Sequence, residues 1–211
     1  MLRDQLDPGT GVRIDITKRV PVGAGLGGGS ADAAAILRSL PALWGKSIPE
    51  EGLRELALRL GSDVPFFLGN DSALGRGRGE ILEYFTLDVP FALLLCTPPL
   101  QVSTQWAYSR IVPRESKGED IRSLLIRGMS DPSLLREHLV NDFEPPVFRE
   151  HPVIRSIRDS MISEGALFAS LSGSGSSVYG FFDDARAAGR AAVPLESLNF
   201  RTFITPPHFR V

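Results

Sequence analysis

Pro21-Val22-Gly23-Ala24-Gly25-Leu26-Gly27-Gly28-Gly29-Ser30-Ala31-Asp32-Ala33-Ala34-Ala35 is the stretch on which the fold turns. Five glycines fall within residues 23–29, and an alanine-rich run follows at once. A glycine turn that runs into a helix start presents free backbone N–H groups and the positive end of a macrodipole. Glycine also lets the backbone approach an anion and take positive φ. The pattern predicts an anion-binding loop followed by a helix over residues 30–42; a plain connector is the other reading. Ser30 either caps that helix or offers a hydroxyl to a phosphate. Asp32 suits a helix N-terminus but repels a phosphate unless it points away.

Gly23, Gly25 and Gly28 satisfy G-x-G-x-x-G. A dinucleotide fold also needs a second strand ending in an acid about 20 residues later. Residues 44–60 read as a turn and a helix instead, and Glu50 and Glu51 open that helix. A Walker A loop needs a lysine directly after its last glycine, and none stands there. Upstream, Val12, Ile14 and Ile16 alternate with Arg13, Asp15 and Thr17, which predicts a half-buried strand. Downstream, Ser47 and Glu50 form a capping-box pattern, and Leu53, Leu56, Ala57 and Leu60 make the buried stripe of a helix closed by Gly61. Pro65 pushes Val64 toward extended backbone, which sets Asp63 at a sharp exit from that helix.

The 211 residues suffice for one large or two small domains, and a net charge of −2 without single-sign runs argues against a nucleic-acid track or an anionic-membrane patch. A small-molecule substrate follows as the default partner. Cys96 is the single cysteine, so no intrachain disulfide forms, which suits a reducing compartment. Without a signal-like start or an apolar run of about 20 residues, the expected address is cytoplasmic. His138, His151 and His208 lack metal-ligand spacing, and no metal-binding cluster is expected. Trp44 and Trp106 read as core or interface residues.

After residue 88 the texture changes. Strands are expected at 91–97, 168–172, 178–182 and 200–205, with helices near 103–111, 119–127, 131–143, 152–164 and 184–192. Strand, helices, strand, strand, helix, strand is the split βαβ, ferredoxin-like order. Domains are therefore expected at 1–88 and 89–211.

Residues 21–31 resemble the P-x-x-x-G-L-G-x-x-S phosphate-binding motif of the GHMP kinase superfamily (galactokinase, homoserine kinase, mevalonate kinase and relatives). Leu60-Gly61-Ser62-Asp63-Val64-Pro65-Phe66-Phe67, Leu171-Ser172-Gly173-Ser174-Gly175-Ser176, residues 75–82 and Val102-Ser103-Thr104 look most like the branch that phosphorylates diphosphocytidyl-methylerythritol in non-mevalonate isoprenoid synthesis. The resemblance covers nearly the whole chain. It implies an α+β fold: a ribosomal-protein-S5-like N-terminal domain, truncated here, and a ferredoxin-like C-terminal domain.

The resemblance also implies roles. ATP is the phosphoryl donor and Mg²⁺ its companion. Pro21, Gly23, Ala24, Gly25, Leu26, Gly27, Gly28, Gly29, Ser30 and Ala31 hold the phosphates. Asp63 orients the acceptor hydroxyl or takes its proton. Thr104, Ser172, Gly173, Ser174 and Gly175 lie on the acceptor side; a helix N-cap at Thr104 and a tight hairpin turn at 172–176 are the plainer readings. Asn141-Asp142 fits the family pattern without an evident physical role. The family pattern also carries an earlier P-A-K-x-N-L strand, whose lysine works beside the catalytic aspartate, and an aromatic-histidine pair for cytidine. Both precede Met1 in register, which points to an upstream start or a fragment, with slower transfer, weaker cytidine recognition and an uncovered sheet edge. Other GHMP acceptors (homoserine, mevalonate) and a non-catalytic nucleotide-binding module are the alternatives.

Overall fold

The computed structural model describes residues 1–69, 71–112 and 120–209. The chain forms two compact units: Met1–Val20 with Gly27–Thr86, and Pro21–Leu26 with Leu87–Val211.

The first unit holds α1 (Leu2–Leu6), α2 (Gly28–Leu43), α3 (Glu50–Leu60), a 3-10 turn (Pro65–Leu68) and a hairpin of β1 (Ser72–Arg76) and β2 (Ile81–Phe85). Its core is Leu2, Ala34, Leu37, Leu56, Ala57 and Val64. Small side chains at Ala34 and Ala57 bring α2 and α3 close together. The hairpin is absent from the sequence-based expectation. Its strands are short, and the glycines of residues 75–79 disguise them.

Several local expectations are corrected in this unit. Val12, Ile14 and Ile16 form no strand and are 42%, 46% and 53% exposed. Alternation makes a strand only where a partner supplies the ladder, and no described strand pairs with them. The capping box does not form: Pro49 is the N-cap of α3, and its carbonyl accepts from Leu53 N at 3.0 Å. The helix thus starts too late for Ser47. Leu60, at the end of the apolar stripe, is 51% exposed. Gly61 closes α3 in extended rather than left-handed backbone, its N–H donating to Ala57 O. Val64 is helical (φ −63°, ψ −41°) despite the following proline. It is nearly fully buried, and that packing outweighs the steric bias.

The second unit holds β3 (Ala92–Thr97), α4 (Thr104–Tyr108), α5 (Ile121–Gly128), α6 (Pro132–His138), α7 (Glu144–Glu150), α8 (Pro152–Ser163), β4 (Phe168–Leu171), β5 (Val178–Phe182), α9 (Ala185–Ser197) and β6 (Arg201–Thr205). The strands order as β4-β5-β3-β6, all antiparallel. This is the ferredoxin-like sheet that the element order predicts. α8 and α9 cover one face, where Leu94, Cys96, Ile154, Ile157, Met161, Val178 and Phe182 are sealed. Leu135, Phe168 and Phe181 pack in a second cluster. Burial drives the Cys96 thiol up to about 12, so it stays protonated and unreactive.

Asp120, Asp131 and Asp184 cap α5, α6 and α9 with their carboxylates. The helix expected at 131–143 ends at His138 as α6; a turn containing Asn141 follows, and α7, which was not expected, begins at Glu144. Pro145 and Pro146 make a poor helix interior but stand in the first turn of α7, where proline is tolerated. Residue 119, the expected first residue of α5, lies outside the described residues. Among the described residues no helix is long and apolar enough to cross a membrane.

Candidate active site

The glycine stretch begins in the second unit and ends in the first, with Leu26 leading covalently into Gly27. Gly23, Gly25 and Gly27 have φ of 70°, 74° and 62°, a left-handed region open mainly to glycine. α2 begins at Gly28, two residues before the expected start, with Gly27 as its N-cap, so Ser30 lies inside the first turn rather than capping it. The first intrahelical bond runs from Ala31 N to Gly27 O at 2.9 Å. The N–H groups of Gly28, Gly29 and Ser30 precede it, and no side chain caps them. These are the donors that an anion satisfies at a helix start.

Asp32 does not leave a bare charge there. Its carboxylate pairs with Lys18 Nζ, both side chains being partly exposed. Sequence reasoning missed Lys18, because only the fold brings residue 18 to residue 32. The lysine also approaches the helix start, its Nζ standing 3.8 Å from where a Cβ on Gly28 would lie.

Within the first unit the D-V-P-F-F segment meets the end of the glycine stretch. A Cβ on Gly27 would lie 2.6 Å from Phe67 Cζ, so glycine is what lets this ring close on the loop. Asp63 is exposed at the turn before Pro65. A Cβ on Gly79 would stand 3.9 Å from Asp63 Oδ1, so the β1–β2 turn passes beside the carboxylate. Tyr84 on β2 fastens the hairpin by donating to Pro65 O at 3.1 Å.

In the second unit the two glycine loops are stitched together. Ser172 Oγ donates to Gly25 O at 2.8 Å, and Ser177 N donates to Ala24 O at 3.0 Å. Ala24 is 2% exposed. A Cβ on Gly25 would lie 2.0 Å from Ser172 O, a collision of side chain with backbone. Ser176 Oγ donates to Leu100 O at 2.7 Å, and Thr97 Oγ1 and Ser177 Oγ are 2.8 Å apart in the interior. Ser103, rather than Thr104, caps α4, accepting from Trp106 N. The Thr104 hydroxyl instead stands 3.4 Å from Ser174 Oγ. Gly173 is exposed at the loop tip, and Ser174 and Gly175 are buried.

Asn141, without a role in the sequence reading, gains one. Its Nδ2 donates to Leu171 O at 2.9 Å and to Gly173 O at 2.8 Å, while its Oδ1 accepts from Phe143 N. Glu144 adds a second grip, accepting from Leu171 N and Ser170 Oγ, both at 2.9 Å. The Asn-Asp-Phe-Glu tetrad of residues 141–144 is the sequence signal for this clamp, but its partners lie some 30 residues away.

The first unit thus offers uncapped amides at a glycine-led helix start and an exposed carboxylate, and the second a ferredoxin-like sheet with its own glycine loop, features that suit a small-molecule kinase. Comparison with known proteins agrees. Residues 1–70 match the GHMP kinases N-terminal domain and residues 121–199 match the GHMP kinases C-terminal domain. The 4-diphosphocytidyl-2-C-methyl-D-erythritol kinase of Chlorobium limicola is 40% identical over 211 residues, covering 99% of this chain and 73% of that protein. The enzyme of the same name from Salinibacter ruber is 40% identical, over 97% and 74% of the two chains. A crystal structure of 4-(cytidine 5'-diphospho)-2C-methyl-D-erythritol kinase superposes with a TM-score of 0.71 at 36% identity, over 89% of this chain and 67% of that one. Homoserine kinase from Cytophaga hutchinsonii shares the fold (TM-score 0.69, 21% identity, 91% and 69% covered). The chain belongs to the GHMP kinases, in the 4-diphosphocytidyl-2-C-methyl-D-erythritol kinase family, and is an ATP-dependent small-molecule kinase.

Proposed function

We propose that this chain transfers the γ-phosphoryl group of ATP to the 2-hydroxyl of 4-diphosphocytidyl-2-C-methyl-D-erythritol. The observation that carries the reading is the set of uncapped N–H groups at Gly28, Gly29 and Ser30, reached through three left-handed glycines. They fit a polyphosphate: neutral donors on a rigid helix start, with the nearby Asp32 carboxylate neutralised by Lys18.

Residues 23–30 bind the α- and β-phosphates through backbone N–H groups. Mg²⁺ would enter with the nucleotide, held mainly by its phosphates and by water, and would supply neutralisation of phosphate charge. Asp63 orients the acceptor hydroxyl and receives its proton as the oxygen attacks phosphorus. Its exposure suits a group that must meet a substrate. Thr104 and residues 172–175 supply hydroxyls and backbone groups on the acceptor side. The working domain limits are 1–88 and 89–211. The single thiol, buried and free, suits a reducing compartment, and the address we propose is cytoplasmic.

The experiment is phosphoryl transfer from Mg·ATP to 4-diphosphocytidyl-2-C-methyl-D-erythritol, with homoserine and mevalonate as rival acceptors. Asp63→Asn should lose turnover by roughly 10²–10⁴-fold while binding ATP nearly as the wild type does in calorimetry. Equal turnover in the variant refutes the role of Asp63. Faster transfer to a rival acceptor refutes the acceptor.

A further inference from the structure

The turn between α6 and α7 grips the second glycine loop from both sides of its backbone. Asn141 donates to the carbonyls of Leu171 and Gly173. Glu144 accepts from the amide of Leu171. Glu144 is itself held, 3.6 Å from the Arg158 guanidinium. The gripped loop then holds the first one, through Ser172 Oγ to Gly25 O and Ser177 N to Ala24 O. Every contact in this sequence, from Asn141 to Ala24, lies within the second unit. One amide side chain therefore fixes two carbonyls whose neighbours fix the backbone of the glycine stretch.

We infer that Asn141 is a positioning residue for the phosphate-binding stretch, acting through the loop of residues 172–176 on Ala24 and Gly25. The inference rests on the kinase reading for its ligand, but the positioning itself is measurable without one. An asparagine amide is suited to this task because a single –NH₂ carries two donors, while its oxygen remains free for Phe143 N.

Asn141→Asp is the discriminating variant. It keeps size and the acceptor for Phe143 N, but sets a carboxylate oxygen against two carbonyl oxygens. That environment favours the protonated acid, so its pKa rises, and protonation restores one donor. Hydrogen exchange at pH 8 should quicken in peptides covering residues 168–177 and also 21–27. Kd for Mg·ATP by calorimetry should rise tenfold or more at pH 8. The variant-to-wild-type Kd ratio, in which the titration of the nucleotide itself cancels, should fall severalfold between pH 8 and pH 5.5. A merely structural defect would lower thermal stability without that recovery. Glu144→Gln retains an acceptor for Leu171 N and should change Kd by less than about threefold.

Quickened exchange confined to 168–177, or in neither peptide, overturns the positioning role. So does a Kd ratio within twofold of unity at pH 8, or one that is raised but flat with pH. If Asn141→Asp does not fold at pH 8, Asn141→Ser removes the donor pair without adding charge, and the same two peptides decide. If the wild type binds no ATP, the kinase reading fails, and the exchange result still judges Asn141.

Discussion

The two glycine loops of this protein use the same residue for opposite ends. At Gly28 and Gly29 the backbone is left open, with uncapped amides and, at Gly29, nothing within 4 Å of where a Cβ would sit. At residues 172–177 the backbone is laced: Asn141, Ser172, Ser176 and Ser177 all make hydrogen bonds that fix it. Glycine in the first loop keeps donors available to an anion. Glycine at the contact of the two loops permits approach of one backbone to another. Gly25 belongs to the second kind although it stands in the first motif, which is why motif membership alone does not predict how a substitution behaves.

Substitutions along the stretch should separate the two uses. The largest effect is expected at Gly25→Ala. The new Cβ meets Ser172 O at 2.0 Å in a left-handed backbone. The second unit should lose at least about 2 kcal/mol in urea denaturation. A loss below about 1 kcal/mol would break the comparison by showing that the lacing is soft. Gly27→Val comes next: the Phe67 ring blocks it at 2.6 Å, and Kd for ATP should rise several-fold. Lys18→Met should follow, raising Kd for ATP by about two- to fivefold, the scale of a half-exposed ion pair. Adding Asp32→Asn should restore most of that loss if neutralising the carboxylate is the task of Lys18. Gly29→Ala should be tolerated, with ATP affinity within threefold and stability equal or slightly higher, since the position is open and helical.

The smallest effect concerns acid. Hydrogen bonds from Ser123 and Ser133 hold the carboxyls of Asp120 and Asp131 below the usual range. A carboxyl lowered in the folded state stabilises it above the unfolded pKa of about 3.9. That contribution disappears as pH falls through the lower folded value. Asp131→Asn keeps an oxygen acceptor for the cap and should shallow the fall of the thermal midpoint below pH 4. An unchanged slope would assign the acid sensitivity to other carboxylates.

How much of this was legible in the sequence follows from the range of the interactions involved. The ferredoxin-like order of the second unit was readable because its four strands and most of its helices carry their own patterns, with Gly165 after α8 and aspartates capping α5, α6 and α9. The open donors of α2 were readable from five glycines and an alanine run. Val12, Ile14 and Ile16 misled because alternation records a preference for a ladder, not a partner for it. The break between α6 and α7 was hidden by apolar residues that continue past His138 to Leu139 and Val140, and by prolines that look like an ending but form a beginning. Lys18 was not legible as a member of the site, and Asn141 stood out only through the family pattern, without a role. Each is defined by a side chain or backbone group 14 to 32 residues away, and only the fold closes that distance.

Cys96 lies in β3, between β5 and β6, with no exposure. As the single cysteine of the chain, it makes the second unit its own clock. A thiol reagent can modify it only when that strand becomes accessible. With rapid reclosing, the labelling rate divided by the rate for a free thiol is the opening equilibrium of the strand. Loop variants such as Gly25→Ala can then be ranked under native conditions, without denaturant. Any acceleration they cause measures how far the loops hold shut the sheet behind them.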